Sequence, residues 1–204
     1  MIDLYTWPTP NGRKVSIALE EFGLAYRVHP VDIGRGDQHA AAFRRISPNG
    51  RIPAIVDGGR ALMESGAILL YLADREARFQ GDDRWETVEW LMLQMSGVGP
   101  MFGQVHHFVR FNPGKAPYAE QRYLAEAHRL YGVLDARLAD RAYLAGSYSI
   151  ADMATWPWIA RWPWHQVDWS AFPHLRRWYL GIADRPAVQR GYDVPEPTDP
   201  IPRP

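Results

Sequence analysis

Residues 47–65 read SPNGRIPAIVDGGRALMES, and this stretch predicts three local structures in succession. Residues 47–50 have turn chemistry, because proline fixes φ and Asn-Gly tolerates positive φ. Pro53 opens a short apolar strand, and a glycine pair turns the chain back into a second strand within residues 54–63. A proline at the start of a strand removes a ladder donor, so it indicates an edge strand or a cis turn.

The same stretch ends in a helix start. Glu64-Ser65-Gly66 precedes the apolar run at residues 67–72, which predicts a helix. The free backbone N–H groups and the positive dipole end of such a helix attract a carboxylate. An exposed strand edge beside this helix start predicts a site for a short, acidic, peptide-like ligand.

The residues before this stretch predict a small mixed sheet. Alternation of apolar and polar residues indicates two strands, and apolar spacing ended by Gly23 indicates a helix between them. The predicted elements are a strand at 2–6, a helix from 13, a strand at 26–31 and a short helix at 40–46. The full order is β-α-β-α-β-β-α, in a domain spanning residues 1–77.

The residues after a polar linker predict helices alone. A long helix at 85–111 contains Gly97, Gly99-Pro100 and Gly103, so we expect a bend there. Ser149 and Asp152 form a capping-box-like helix opening, with Asp in place of Glu. Further helices are predicted at 118–139, 175–183 and 187–191. We therefore predict an all-helical domain at 84–194 and an extended, poorly ordered proline-rich tail at 195–204.

The composition excludes several classes of function. The chain has 204 residues, a formal net charge of +0 and no cysteine. Zero net charge argues against electrostatic capture of nucleic acid or an anionic membrane, and the longest apolar run is too short to span a bilayer. The absence of cysteine excludes disulfides, zinc–thiolate sites and a protein thiol nucleophile. With no signal peptide visible, we expect a cytoplasmic protein.

With these motifs in view, nearly the whole chain resembles a cytosolic glutathione transferase. The marks are the Ile52-Pro53 step, Glu64-Ser65 and the capping box at 149–152, in this order and spacing. The resemblance implies an α+β fold, in which a thioredoxin-like βαβαββα domain is followed by a helical bundle. It also implies a homodimer.

Shorter segments resemble the bacterial nu class of this family, which is associated with glutathione-dependent disulfide reduction. They are residues 9–12, 34–38, 64–72 and 99–101, with Gln104 and the triplet 106–108. The hairpin at 56–63 is shorter than in the nu-class members compared. The surroundings of the glycine carboxylate of glutathione could therefore differ here.

Two residues suit the γ-glutamyl head of glutathione. The Ser65 hydroxyl and N–H can bind its carboxylate, and Glu64 can pair with its ammonium group. Ordinary helix capping is the alternative role for these residues. Ile52 can exchange backbone hydrogen bonds with the cysteinyl unit if Pro53 breaks the ladder, or the step can be a structural turn.

Three further polar residues are candidates through the resemblance. Gln38 and Arg51 flank the same edge and could hold the glycine carboxylate, with charge-assisted bonds from Arg51. Arg122 matches a basic residue that contacts glutathione in the nu class. Each could instead be a solvated polar residue, or in the case of Arg122 a surface ion-pair partner.

Thr9 and Asn11 are the predicted catalytic residues. The task is to hold the glutathione sulfur as a thiolate, although a free thiol has a pKa of ~8.5. A hydroxyl donor, an amide donor and a helix N-terminus could together depress that pKa by about one or two units. The alternative is helix capping alone, by Asn11. Tyr5 lies within the strand pattern, and we interpret it as a core residue.

Because the chain has no cysteine, both thiols for disulfide reduction must come from glutathione. A site for two glutathione molecules, or for glutathione disulfide, would supply them, and we predict no metal. The acceptor side is assigned to Trp7, Met101, Phe102, His106, His107 and Phe108. The two histidines point about 100° apart on a helix and are poorly placed to share a metal.

Three functions remain open from the sequence. The first is a glutathione-dependent disulfide reductase acting on a small disulfide. The second is a transferase that conjugates glutathione to an electrophilic small molecule. The third is a regulatory protein that binds glutathione without turnover, since a fold does not settle function.

Overall fold

The computed structural model describes all residues, Met1–Pro204, as two compact units. The first unit contains Met1–Arg78 and Ala183–Ile201, and the second contains Phe79–Ile182 with Pro202–Pro204. The predicted domain boundaries placed residues 183–194 with the helical domain, whereas contacts within the structure group them with the sheet. None of the helices combines the length and the apolar character that a membrane span requires.

The first unit has the predicted element order, so the thioredoxin-like expectation is confirmed. Its strands are β1 (Ile2–Thr6), β2 (Tyr26–Pro30), β3 (Ala54–Asp57) and β4 (Arg60–Met63), and its helices are α1 (Pro10–Phe22), α2 (Ala41–Arg44), α3 (Ser65–Glu76) and the late α9 (Pro186–Tyr192). A 3-10 turn, Asp37–His39, precedes α2.

The sheet order is β2-β1-β3-β4, with β1 parallel to β2 and antiparallel to β3. Strand β3 lies between β1 and β4, so of the two alternatives predicted from Pro53, an edge strand or a cis turn, the edge strand is excluded and the cis turn is confirmed. The Ile52–Pro53 peptide bond is cis and precedes the first paired residue, Ala54. The Gly58-Gly59 turn is confirmed, with φ of 54° and 87°, as a two-residue hairpin with positive φ at both positions requires.

Helix α1 begins three residues earlier than predicted. Thr9, not Asn11, is the N-cap: its Oγ1 accepts a hydrogen bond from the Gly12 N–H at 3.2 Å. A Cβ on Gly12 would lie 2.1 Å from the Trp7 carbonyl oxygen, so only glycine allows the loop to lie this close to the helix. The predicted end at Gly23 is confirmed by its φ of 70°.

Helix α9 packs closely on α1, which explains its place in the first unit. Ser16 Oγ donates to the Gly191 carbonyl oxygen at 2.6 Å. The buried Arg13 donates through Nε to the Tyr192 carbonyl oxygen at 3.0 Å and through its guanidinium to Thr198 Oγ1 at 2.8 Å. The predicted tail, residues 195–204, has no helix or strand, and its Thr198 accepts one of these hydrogen bonds.

The second unit is helical, as predicted. It contains α4 (Arg84–Leu93), α5 (Gly99–Val105), α6 (Pro117–Arg137), α7 (Ile150–Ile159) and α8 (Pro173–Ala183). Where the sequence predicted a bend, two π-helical segments, Gln94–Val98 and His106–Phe111, flank α5. Such π-helical segments interrupt the regular hydrogen-bond pattern of an α-helix.

The capping box at the start of α7 is confirmed. Asp152 Oδ2 accepts from the Ser149 N–H at 2.9 Å, and Ser149 Oγ accepts from the Ala151 N–H at 3.2 Å. Trp156 follows on the same helix, is fully buried and stacks on Tyr179 at 5.4 Å between ring centroids. The aromatic core of this unit is thus held by α7 and α8.

Candidate functional site

Four predicted segments meet at one end of the sheet in the first unit. The register pairs Thr6 with Pro30, Tyr5 with Ala54, and Ala54 with Met63. One end of the sheet is therefore formed by the last residues of β1, β2 and β4 and by the first residue of β3. The residues that follow or precede these ends are Thr9 and Asn11, Gln38, Arg51 to Pro53, and Glu64 with Ser65.

Thr9 and Asn11 lie half-buried at the positive end of α1. The Thr9 hydroxyl accepts from Gly12, which leaves its own proton available to donate. Thr9 can therefore cap the helix and donate a hydrogen bond to a thiolate at the same time. Asn11 lies in the first turn, where the helix dipole favours a negative charge.

Ser65 begins α3 and is 4% exposed. Glu64, immediately before it, is exposed and has φ of 69°. A non-glycine residue in this region costs of order 1–3 kcal/mol, and such residues cluster at ligand-binding sites. The backbone thus turns so that the carboxylate of Glu64 and the start of α3 occupy the same end of the sheet.

Lys14 is a charged residue of this site that the sequence analysis missed. It is 1% exposed, and its Nζ donates to Ser65 Oγ at 3.3 Å. Burial lowers the pKa of Lys14 to about 7, while the charge of Glu64 opposes this shift. A signal was present, because Lys14 follows Asn11 by three residues and therefore shares its helix face.

The loop before β3 is fixed by its own hydrogen bonds. Ser47 Oγ donates to the Arg51 carbonyl oxygen at 2.8 Å, and the Arg51 N–H donates to Ser47 Oγ at 3.3 Å. The side chain of Ile52 packs on a buried cluster that includes Phe43. The adjacent Pro53 is itself buried.

Gln38 lies next to this loop. A Cβ on Gly50 would lie 3.1 Å from the Gln38 carbonyl oxygen, so the backbones of the two loops are in close contact. Gln38 Nε2 donates to the Ile33 carbonyl oxygen at 3.4 Å, whereas its buried Oε1 has no hydrogen-bond partner. The side chain of Arg51 is exposed. The structure therefore brings Gln38 and the Arg51 loop together.

Arg122 belongs to the second unit, where it is exposed on α6. It lines a cavity of about 630 Å³ with Met101 of α5. Tyr118, Tyr123, Glu126 and Arg129 contribute to the same wall.

Two predicted acceptor residues are buried, and their assignment is corrected. Phe102 is 0% exposed and stacks on Tyr131, so it cannot line a substrate surface. His106 is 8% exposed, and its Nε2 lies 2.8 Å from Nε2 of His165, which in turn bonds Tyr131 through Nδ1.

The other acceptor assignments differ in exposure. Trp7, Met101 and Phe108 are half-buried, and His107 is exposed. Phe108 stacks on Tyr123 at 5.5 Å between ring centroids. Tyr5, interpreted as core, is half-buried and stacks on His29.

Neither the buried histidine pair nor any other group of side chains has the features of a metal site. Burial lowers the pKa of His106 to about 4, with a further contribution from Arg161, so this imidazole is neutral at physiological pH. No group of three or more His, Cys, Asp or Glu side chains could hold a metal ion. The charged side chains at the sheet end are those of Lys14, Arg51 and Glu64.

Comparison with known proteins identifies both halves of the chain. The family description "Glutathione S-transferase, N-terminal domain" matches residues 4–80. The description "Glutathione S-transferase, C-terminal domain" matches residues 98–186.

Among characterised proteins, the chain is similar to the disulfide-bond oxidoreductase YfcG of Escherichia coli. They are 48% identical over 199 residues, covering 92% of this chain and 93% of the relative.

Two solved structures are similar over 95% of this chain. A glutathione transferase from Pseudomonas putida, with one glutathione disulfide bound per subunit, is 43% identical with a TM-score of 0.89 over 91% of its length. A glutathione transferase from Burkholderia graminis, with two glutathione molecules bound per subunit, is 43% identical with a TM-score of 0.88 over 88% of its length.

Proposed function

This chain belongs to the glutathione S-transferase family, and from that premise we propose that it is a glutathione-dependent thiol–disulfide oxidoreductase. The observation that carries the proposal is the meeting of Thr9, Asn11 and Ser65 at one sheet end in a chain without cysteine. Such a site can bind and activate a thiol but cannot provide one.

The reaction takes two glutathione thiolates. The first attacks one sulfur of the substrate disulfide, forms a mixed disulfide and releases the other substrate sulfur as a thiolate. The second attacks the glutathione sulfur of that mixed disulfide, so that glutathione disulfide forms and the remaining substrate thiolate leaves. Two electrons thus pass from two glutathione molecules to the substrate. The bound glutathione disulfide and the two bound glutathiones in similar proteins support this stoichiometry.

Binding is assigned to the two sides of the sheet end. Ser65 binds the γ-glutamyl carboxylate, Glu64 pairs with its ammonium group, and the backbone of Ile52 beside Pro53 bonds the cysteinyl unit. The rigid loop before β3 supports this role for Ile52, since it fixes the backbone in advance.

The glycine carboxylate is assigned to Gln38 and Arg51. The close approach of their two loops supports this pairing. Arg122 is proposed as a further contact of glutathione, which its exposed position on a cavity wall allows.

Thiolate stabilisation is assigned to Thr9 and Asn11. The Thr9 hydroxyl proton and the Asn11 amide donate to the sulfur, and the positive end of α1 favours its negative charge. Each pKa unit by which they depress the bound thiol requires about 1.4 kcal/mol of preferential stabilisation of the thiolate.

The test compares two reactions and two variants. Glutathione-dependent reduction of 2-hydroxyethyl disulfide should be strong, and conjugation of a chlorodinitrobenzene electrophile weak. Asn11→Ala should reduce kcat more than glutathione affinity, and Ser65→Ala should do the reverse. Predominant conjugation would indicate the transferase alternative. Glutathione binding without either reaction would indicate a regulatory binder.

We further propose a cytoplasmic homodimer of the nu class. Trp85 and Met92 support a dimer, because they are 75% and 43% exposed and lie seven residues apart on one face of α4. Light scattering on the purified protein tests this state. A monomeric mass at micromolar concentration would refute it.

A further inference from the structure

A chain of aromatic rings leads into the core of the second unit. Trp162 is half-buried, and its ring centroid lies 5.7 Å from that of Trp169, which is 9% exposed. The Trp169 ring lies in turn 6.2 Å from that of Tyr131, which is 0% exposed. Indole and phenol are the most easily oxidised aromatic side chains of proteins, and electrons tunnel readily between neighbouring rings. The three rings therefore form a continuous electron path from a buried phenol toward the surface.

The phenol at the inner end of this path has a proton acceptor. Tyr131 OH lies 2.8 Å from Nδ1 of His165, and Nε2 of His165 lies 2.8 Å from Nε2 of His106. A buried hydroxyl needs an acceptor for its proton, which assigns donation from Tyr131 to Nδ1 of His165. The neutral imidazole of His165 then carries its own proton on Nε2 and donates it to His106. Both bonds thus run outward from the phenol to His106.

The two imidazoles of this relay are neutral before any oxidation. Burial lowers the pKa of His165 well below its usual value, with further contributions from His106, His128 and Arg161. Burial likewise lowers the pKa of His106 to about 4 and raises the pKa of Tyr131 well above its usual value. The phenol therefore keeps its proton while it is reduced. A phenol radical cation, by contrast, is a strong acid and gives its proton to an adjacent imidazole.

The two indoles on the path have no comparable acceptor. Nε1 of Trp162 and Nε1 of Trp169 are buried and lack a hydrogen-bond partner. Such unbonded N–H groups are unfavourable in a core, and a redox role is one of the reasons for which they occur. An oxidised indole that cannot lose its proton stays a radical cation, which is the more strongly oxidising of its two radical forms. A hole on Trp169 is therefore driven toward Tyr131, which can lose an electron and a proton together.

We propose that Tyr131 and His165 form a proton-coupled redox site that takes up one-electron oxidising equivalents arriving at Trp162. A radical oxidant such as the carbonate radical anion takes one electron from Trp162 and becomes carbonate. An electron from Trp169, and then one from Tyr131, restores each indole in turn. The Tyr131 proton moves to Nδ1 of His165 while the Nε2 proton of His165 moves to His106. The products are a neutral phenoxyl radical and one imidazolium.

The burial of Tyr131 gives this site a protective function. A phenoxyl radical that is 0% exposed cannot couple with a tyrosyl radical of another protein molecule to form a crosslink. The hole stays there until a reductant in solution, such as ascorbate, returns one electron through the indoles, and His106 returns the proton through the relay. This activity is separate from the proposed function, because it uses none of the residues assigned to glutathione.

Pulse radiolysis with the azide radical, which oxidises indoles selectively, tests this site. In the wild-type protein the absorption of indole radicals should decay as that of a phenoxyl radical grows, at a rate independent of protein concentration. Tyr131→Phe removes only the hydroxyl and should abolish most of that growth. Tyr179→Phe is the matched control and should behave like the wild type. Tyr179 also lies against Trp169, at 5.6 Å between ring centroids, but its hydroxyl donates to the carbonyl oxygen of Pro202, which is a much weaker base than imidazole.

Two kinetic outcomes would overturn the proposal. One is a rate of phenoxyl growth that rises with protein concentration, and the other is an equal loss of that growth in Tyr131→Phe and Tyr179→Phe. A second measurement requires no variant. High-field electron paramagnetic resonance of the radical, frozen after oxidation of protein with isotope-labelled histidine nitrogens, should show a phenoxyl coupled to an exchangeable proton on an imidazole. A phenoxyl radical without that coupling would lie on another tyrosine and would also overturn the proposal.

Discussion

Replacement of Asp152 by alanine should destabilise the second unit through orphaned donors. The buried carboxylate accepts four hydrogen bonds in the structure. Oδ1 accepts from the Leu144 N–H at 3.0 Å and from Trp178 Nε1 at 2.8 Å. Oδ2 accepts from the Ser149 N–H at 2.9 Å and from Ser149 Oγ at 3.1 Å. The hydroxyl can find another acceptor, but the two backbone N–H groups and the indole N–H cannot.

The magnitude follows from two opposing effects. A buried donor without an acceptor costs about 2 kcal/mol, so three of them cost about 6 kcal/mol. Burial raises the pKa of Asp152 from 3.8 to about 6, because the folded protein disfavours the charged carboxylate, and alanine removes that unfavourable charge. The net loss for Asp152→Ala is therefore smaller than the cost of the three donors, on the order of 3 kcal/mol.

Asp152→Asn is the matched control. Its Oδ1 retains the bonds from Leu144 and Trp178, so one donor, the Ser149 N–H, loses its acceptor. The cost of that donor is offset because the amide carries no charge, and the expected change is about 1 kcal/mol or less.

Urea unfolding followed by circular dichroism at about pH 7.5 and fixed protein concentration measures both variants, with an unchanged m value as the check on two-state analysis. Equal destabilisation by alanine and asparagine would refute the reasoning, since it would mean that the charge rather than the orphaned donors matters. A loss below about 1 kcal/mol for Asp152→Ala would refute it too.

Three further predictions follow from other sites. Thr9→Val should raise the pKa of the bound glutathione thiol by about one unit, read from thiolate absorbance against pH, and an unchanged titration contradicts the donor role. Gly191→Ala should cost about 1–3 kcal/mol in urea unfolding, because its Cβ would lie 2.5 Å from Ile17 Cα, whereas Gly181→Ala, with no neighbour within 4 Å, should not destabilise. Because burial lowers the pKa of His106 from 6.5 to about 4, the unfolded chain binds its proton first, and stability is lost as pH falls through this window. His106→Asn should make the free energy of unfolding fall less steeply as pH is lowered through this window. The raised pKa of Asp152 acts in the opposite direction, but this residue is present in both proteins and its effect cancels. The same pH dependence in both proteins would contradict the role given to His106.

The strands and helices of the first unit were predictable because their signals are local. Gly23 ends α1 and the Gly58-Gly59 pair turns β3 into β4, because glycine adopts the positive φ that these positions require. The early start of α1 was missed because the helix was predicted only from residue 13, although a proline such as Pro10 fits the first turn of a helix. The sequence could not choose between an edge strand and a cis turn at Pro53, because strand order depends on the pairing of β3 with β1, which no local pattern records.

The errors in the predicted site concern residues whose burial the sequence does not reveal. Phe102 and His106 lie in a segment whose glycines obscure the helical period, so the sequence could not separate an inward from an outward face. Two π-helical segments shift that period further. Lys14 was passed over because a lysine on an amphipathic helix is usually solvated, and only packing against α3 shows that it is buried.

The sequence by itself determined the element order, the turn residues, the cap residues and the absence of any thiol, because each depends on the conformational or chemical properties of a few adjacent residues. The tertiary structure decided that β1 and β3 are the inner strands, that residues 183–201 belong to the unit that contains the sheet, and that Lys14 contacts Ser65 across 51 positions of sequence. These outcomes depend on which surfaces exclude water from one another, and that is a property of the folded chain as a whole.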